Sequence, residues 1–313
     1  MYDENIKWVI LSSSAGLTHL SSVSESIVST QSLFGTLYIV ATPIGNLSDI
    51  TYRAVQILTE ADLIFAEDTR NTRKLLDHYQ VVTPVQTLHE HNEKESVQKV
   101  LALLKQGQNL ALVSDAGTPL ISDPGFVLVS ELRKSGANIV PVPGPSAVIA
   151  ALSVAGIATD HFSFEGFLPS KEVARQEVLA GLSDESRTMV FYEAPHRLSA
   201  TLADMELTFG AERVAVLCRE LTKAYETIHS APLSELLSWV NQDVNQQRGE
   251  IVLVVQGVDK SRRHDELTSF DKHLLKTLLD ELPLKRASVV CARLTGKAKR
   301  SFYDLGMQLQ KNN

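Results

Sequence analysis

From Leu37 onward the chain alternates short continuous apolar runs with stretches whose apolar residues recur at helical spacing. LYIVA (37–41), DLIFAED (62–68), NLALVS (109–114) and the run at Ile139 predict strands buried on both faces. Between them, Ile50 to Glu60 carries Ala54, Ile57 and Leu58 on one helical face. Glu95 to Lys105 does the same with Val97, Val100, Leu101 and Leu104 before Gly107 stops it. Two-sided strands separated by helices imply a mostly parallel sheet covered on each side, so residues 35–159 predict an α/β domain. A second α/β domain over 160–258 takes FSFEGF (162–167), RTMVFYE (187–193), ERVAVLC (212–218) and GEIVLVVQG (249–257) as strands, with the boundary near Thr159–His161. Beyond Gly257, VDKSRRHDE reads as a charged linker. Residues 264–313 predict a small appendage of two or three short helices.

Two segments depart from this pattern. The first 34 residues hold nine serines and four charged groups, and IKWVIL is too short for a signal-peptide core, so residues 1–34 predict a poorly ordered leader. Ala137 to Thr159 is uncharged and long enough for a membrane span, but Pro141, Pro143 and Pro145 break its first third. What remains is a short buried helix.

Composition adds exclusions. The 44% hydrophobic and 21% charged balance removes collagen-like, disordered and disulfide-scaffold classes. Thirty Lys and Arg against 37 Asp and Glu give a net charge of −7, against a surface that grips nucleic acid everywhere. Yet Leu284 to Tyr303 holds Lys285, Arg286, Arg293, Lys297, Lys299 and Arg300 with no acidic residue. Cys218 and Cys291 form no CxxC pair, HEH in LHEHNE lacks metal-ligand spacing, and a reducing cytoplasm without a bound metal is expected.

The chemistry is expected at the carboxyl ends of the strands, where α/β sheets bind ligands. Neither a Walker A loop nor GxGxxG is present. TPIGNLSD follows the first strand, EDTRNTRK the second, SDAGTPLISDPG the third and PVPGPSA the strand at Ile139. In SDAGTPLISDPG, Asp115 ends a strand, Gly117 lets backbone approach a ligand, and Asp123-Pro124-Gly125 reads as a helix cap and start. PVPGPSA offers main-chain amides at a helix start near Ser146; a rigid turn before a core helix is the bland reading.

These loops, with LYIVATPIGNLSDIT, AEDTR, LHEHNE, EGFLP, FYEAPHR, CRELTK, ETIHSAP and GEIVLVV, occur in order over about Leu37 to Leu309. Together they resemble the tetrapyrrole-methylase-like S-adenosylmethionine enzymes, in their ribosomal RNA branch. TPIGNLSD stands where cobalamin-pathway relatives carry a GxGPGD loop. The resemblance implies two α/β domains with a cleft between them, plus the helical appendage. It also implies S-adenosylmethionine as cofactor, and 2′-O-methylation of a cytidine ribose (cytidine 1402) in the decoding region of 16S ribosomal RNA within the small ribosomal subunit, by a homodimer. Asp115, Ala116, Gly117, Thr118, Pro119, Gly144, Pro145, Ser146, Gly166 and Phe167 would then line the cofactor. Methylation of a small tetrapyrrole and a non-catalytic RNA-binding assembly factor are the rival readings.

In-line transfer to a ribose hydroxyl needs alignment, and a nearby carboxylate or neutral histidine assists it. Asp68, Glu67, His91 and Glu193 are the candidates. Asp68 is equally a helix cap, Glu67 equally a partner of Arg70, and His91 equally a solvated loop residue. Arg70, Arg197 and the appendage's six basic residues are candidates for RNA phosphates. Glu193–Arg197, and Arg219, Glu220 and Lys223, read equally as inter-domain salt bridges.

Overall fold

In the computed structural model the described residues are 34–88, 93–258, 267 and 269–311. Residues 1–33 of the leader, His91 and nearly all of the charged linker lie outside them. Five parallel strands, β1 (Thr36–Val40), β2 (Leu63–Ala66), β3 (Val85–Thr87), β4 (Leu110–Val113) and β5 (Asn138–Val142), form the first sheet in the order β3-β2-β4-β1-β5. Successive strand residues point to opposite faces, which explains the continuous apolar runs. Leu110 and Leu112 of β4 join one core, Ala111 and Val113 the other. Helices α1 (Tyr52–Glu60) and α2 (Thr69–His78) cover one face, and α3 (Glu93–Lys105) and α4 (Phe126–Lys134) the opposite one.

The second sheet is built differently from the first. Strands β6 (Phe162–Phe167), β7 (Thr188–Glu193), β8 (Val214–Arg219), β9 (Thr227–Pro232) and β10 (Ile251–Val255) run in the order β6-β7-β10-β8-β9, and only β6 and β7 are parallel. Alternation again sorts the side chains. Met189, Phe191, Leu217 and Leu253 face a core completed by α6 (Glu172–Gly181), α7 (Leu198–Phe209) and α8 (Leu233–Gln242). Val190, Val216, Cys218 and Val254 face the other way, onto α5 (Ala147–Val154), whose Val148, Ala151 and Leu152 are buried there with Ile44. The helix that leaves the first sheet therefore packs on the second, and each such buried Val, Leu or Ile side chain contributes about 1.5–3 kcal/mol. That packing holds the loops beyond β4 and β5 against one end of the second sheet.

Three helices close the chain: α9 (Ser269–Glu281), α10 (Leu284–Thr295) and α11 (Lys299–Lys311). Leu275, Ala287, Cys291 and Phe302 make their small core. Lys297, read from sequence as a phosphate contact, instead pairs with Asp271 at 2.5 Å and pins the α10–α11 turn to α9. Among the described residues no helix is long and apolar enough to cross a membrane.

Candidate functional site

Thr42, just beyond β1, exchanges two main-chain bonds with Gly117, at 2.8 and 3.0 Å, and its Oγ1 donates to the Ser114 carbonyl. The turn after β4 is thus held on the edge of β1. Gly117 has φ +80°, and a Cβ there would reach Ile44 Cγ2 at 3.4 Å. From the same turn Thr118 Oγ1 donates to the Pro145 carbonyl at 3.0 Å, which ties residues 115–119 to 143–146. Gly144 is needed for a different reason: a Cβ would stand 3.0 Å from that of Ala41.

The two tied turns form one wall of a cavity of about 360 Å³, and the ends of the second sheet form the other. Tyr192, Cys218 and Val252 reach it because they lie on the α5 face of that sheet. Phe167, 56% exposed, stands edge-on to Tyr192 at 5.5 Å, as Phe164 does at 4.9 Å. Burial pushes the Tyr192 hydroxyl up to about 12, with the Asp123 charge adding to it, and burial likewise pushes the Cys218 thiol up to about 12. Both stay protonated at neutral pH. An apolar cavity with a ring on its wall and two glycine-lined turns suits a flat heteroaromatic ligand carrying a polar arm.

Of the residues expected to hold a cofactor, Ala116, Gly117, Thr118, Ser146 and Phe167 line this cavity. Pro119, Gly144 and Pro145 belong to the supporting turns and are not in the lining, nor is Gly166, which sits at the register shift in β6 with φ +66° and Ser122 Oγ 3.4 Å from where its Cβ would be. Asp115 turns away: its carboxylate accepts from the Asp68 amide at 3.1 Å and from Asn71 Nδ2 at 3.0 Å. It couples the β4 turn to the start of α2.

Of the expected acids and bases, Glu193 borders the cavity, Asp68 is not among its lining residues and His91 lies outside the described residues. Asp68 is the N-cap of α2, accepting from the Arg70 amide at 2.8 Å and pairing with the Arg70 side chain at 2.8 Å. The hydrogen bond from the Arg70 side chain holds its carboxyl down at about 2. Arg70 is 86% exposed, so the pair presents its cation outward. Glu193 borders the cavity, but its carboxylate is spent on the Ala194 amide, on Arg197 at 2.5 Å and on Thr201 Oγ1, with no side-chain exposure. Arg197 is therefore an internal partner, 16% exposed, and not a free phosphate clamp. Nor is it an inter-domain bridge, since both residues belong to the β7–α7 junction. Arg219 is likewise buried, bonded to Gln246, Tyr225 and Thr227 in the second sheet and its connections, and Lys223 pairs with Glu220 and Glu250. Lys285, Arg286, Arg293, Lys299 and Arg300 are exposed on the C-terminal helices, Arg300 at 3.7 Å from Asp304.

Gly125, not Asp123, is the N-cap of α4, and it makes no side-chain cap bond. Leu120 (φ 74°) and Ser122 (φ 65°) are in left-handed conformations and turn Asp123 onto the cavity wall beside Tyr192. Two non-glycine residues of this kind in one short turn store strain of about 1–2 kcal/mol each. No spacing in the sequence signals this, nor the contribution of Ile121, Leu221 or Gly249 to the lining.

Residues 36–237 match the family model of tetrapyrrole (corrin/porphyrin) methylases, and residues 270–310 match the RsmI C-terminal HTH domain. The ribosomal RNA small subunit methyltransferase I of Pseudomonas aeruginosa is 50% identical over 88% of this chain and 98% of its own length. The protein of that name from Haemophilus influenzae is 49% identical over 88% and 97%. Among solved structures, the cobalamin-biosynthetic cobalt precorrin-4 methyltransferase superposes with a TM-score of 0.54 at 18% identity, covering 71% of this chain and 94% of that one, a likeness of fold alone. On the family model that matches residues 36–237 and on the identity it shares with these relatives, the chain belongs to the tetrapyrrole methylases and is a methyltransferase.

Proposed function

We propose that this chain methylates the 2′-hydroxyl of a cytidine ribose, cytidine 1402, in the decoding region of 16S ribosomal RNA, using S-adenosylmethionine and working as a cytoplasmic homodimer. One observation carries the reading. The Thr118–Pro145 bond closes two carboxyl-edge turns around a cavity of adenosyl size, in a chain half identical to enzymes named for small-subunit ribosomal RNA. When bound, S-adenosylmethionine supplies a methyl group activated on a sulfonium sulfur. Ala116, Gly117, Thr118 and Ser146 would hold it by close main-chain approach, and Phe167 by its ring face or edge.

The chain's own work is alignment and exclusion of water. Rigid placement of the reacting groups can supply about 7–11 kcal/mol in favourable cases. The exposed Arg70, paired with Asp68 after β2, would anchor a phosphate, and Asp68 would act through it. The exposed cations of α10 and α11 add contacts that neutralise phosphate without reading sequence. Because folded RNA is recognised by shape and by splayed bases, the substrate is the assembled subunit.

The test offers naked 16S RNA, unassembled subunits and assembled subunits to the purified chain. Methyl incorporation confined to the assembled particle is expected; equal rates on all three would remove the particle from the proposal. Mass mapping of ribosomal RNA from cells without the protein should show one ribose methyl missing, and an unchanged map would overturn the assignment.

A further inference from the structure

Among the described residues three carboxylates border the cavity, and two are committed elsewhere. Glu193 is enclosed by Arg197, Thr201 and the Ala194 amide. Glu250 turns outward, 71% exposed, to Lys223 at 3.1 Å. Asp123 is left, half-buried, held on the wall by the strained turn through Leu120 and Ser122. Among the described residues no Lys, Arg or His lines the cavity to balance it, and the neighbouring Tyr192 is a neutral phenol. Around it the walls are apolar, with Ile44, Ile121, Phe167 and Leu221. Burial raises the Asp123 carboxyl above the ordinary range; the Ser114 hydrogen bond opposes this and the Asp115 charge adds to it.

A carboxylate without a cation in an apolar cavity is an incomplete pair, since burying a charge is unfavourable unless a counter-charge arrives with the ligand. A sulfonium methyl donor brings two positive centres, its sulfur and the ammonium of its methionine arm. We propose that Asp123 is a donor-binding residue whose carboxylate pairs with a cationic centre of that arm, and so distinguishes the charged donor from uncharged adenosyl fragments. This rests on the S-adenosylmethionine reading of the cavity. The left-handed Leu120 and Ser122 belong to the turn that sets Asp123 on the cavity wall.

Calorimetric titration of the full-length wild-type chain and of Asp123→Asn with three probes tests it. The probes are S-adenosylmethionine, S-adenosylhomocysteine, which keeps the ammonium and loses the sulfonium, and 5′-methylthioadenosine, which has neither charge. Asn preserves shape, so D123N should weaken S-adenosylmethionine at least about tenfold while 5′-methylthioadenosine changes by less than about threefold. An equal loss for S-adenosylhomocysteine assigns the ammonium as the partner, and a loss absent there assigns the sulfonium. Unchanged affinity for S-adenosylmethionine, or an equal loss for 5′-methylthioadenosine, overturns the pairing while leaving the methyltransferase reading intact. A wild-type chain that binds no S-adenosylmethionine at millimolar concentration would instead overturn both. The retained affinity of D123N for the neutral fragment, with its unliganded unfolding midpoint, reports that the variant is folded.

Discussion

Thr118 Oγ1 donates to the Pro145 carbonyl at 3.0 Å, and this bond joins the turn after β4 to the turn after β5. Thr118→Val keeps the volume and removes the donor, leaving a carbonyl without that partner at an expected cost of about 1–3 kcal/mol. Because the lost bond closes the cavity rather than a core, most of the loss should appear in ligand binding. Calorimetry should show S-adenosylmethionine affinity reduced about tenfold, with the thermal midpoint lowered by only a few degrees. A variant that binds as wild type would mean that the turns hold their spacing without the bond.

Gly117 and Gly107 have nearly the same backbone, φ +80° and +82°, but different surroundings. Alanine at either position meets the left-handed penalty of about 1–2 kcal/mol. At Gly107, which ends α3, an added Cβ has nothing within 4 Å. At Gly117 it would stand on the cavity's edge. G107A and G117A should therefore lose similar stability in denaturant titrations, and only G117A should also lose donor affinity. A parallel loss of affinity in G107A would show that the effect is global.

Glu193 is placed to stabilise the β7–α7 junction. Removing one partner of a buried, hydrogen-bonded pair costs about 3–5 kcal/mol because the other charge stays behind. Urea unfolding should show E193A destabilised by about that amount, through unpaired Arg197 and Thr201, and E193Q by less. Per folded molecule, E193Q should retain turnover within about threefold, whereas a loss of 10²-fold or more would restore the residue to the chemistry.

What the sequence disclosed and what it hid follow from how each element is buried. Strands such as β4 have both faces covered, so every residue is apolar and the run stands out. β9 lies at a sheet edge, alternates exposed and half-buried residues and ends in Pro232, so ETIHSAP carries no comparable signal; β3 is an edge strand of three residues. The first cavity wall was legible because its turns need glycine and proline at fixed positions. The second was not: Cys218 and Val252 reach it only through the antiparallel pairing of β8 with β10. Asp123 was misread as a cap because Leu120 and Ser122 adopt left-handed backbone without being glycine or asparagine.

Asp68 separates two roles by pH. Its carboxyl, held at about 2 by the Arg70 hydrogen bond, contributes its pairing above the ordinary carboxylate range and loses it only as pH falls through about 2. Between pH 5 and 9 it is ionised throughout, too weak a base to shape the rate profile. If it acts by presenting Arg70 to RNA, Asp68→Asn should lower turnover on the assembled subunit by a factor that is constant across that range, with S-adenosylmethionine affinity unchanged. Arg70→Lys, which keeps the charge but loses bidentate geometry, should fall between wild type and Arg70→Ala. An acid limb that shifts in D68N would instead make its carboxylate the proton acceptor.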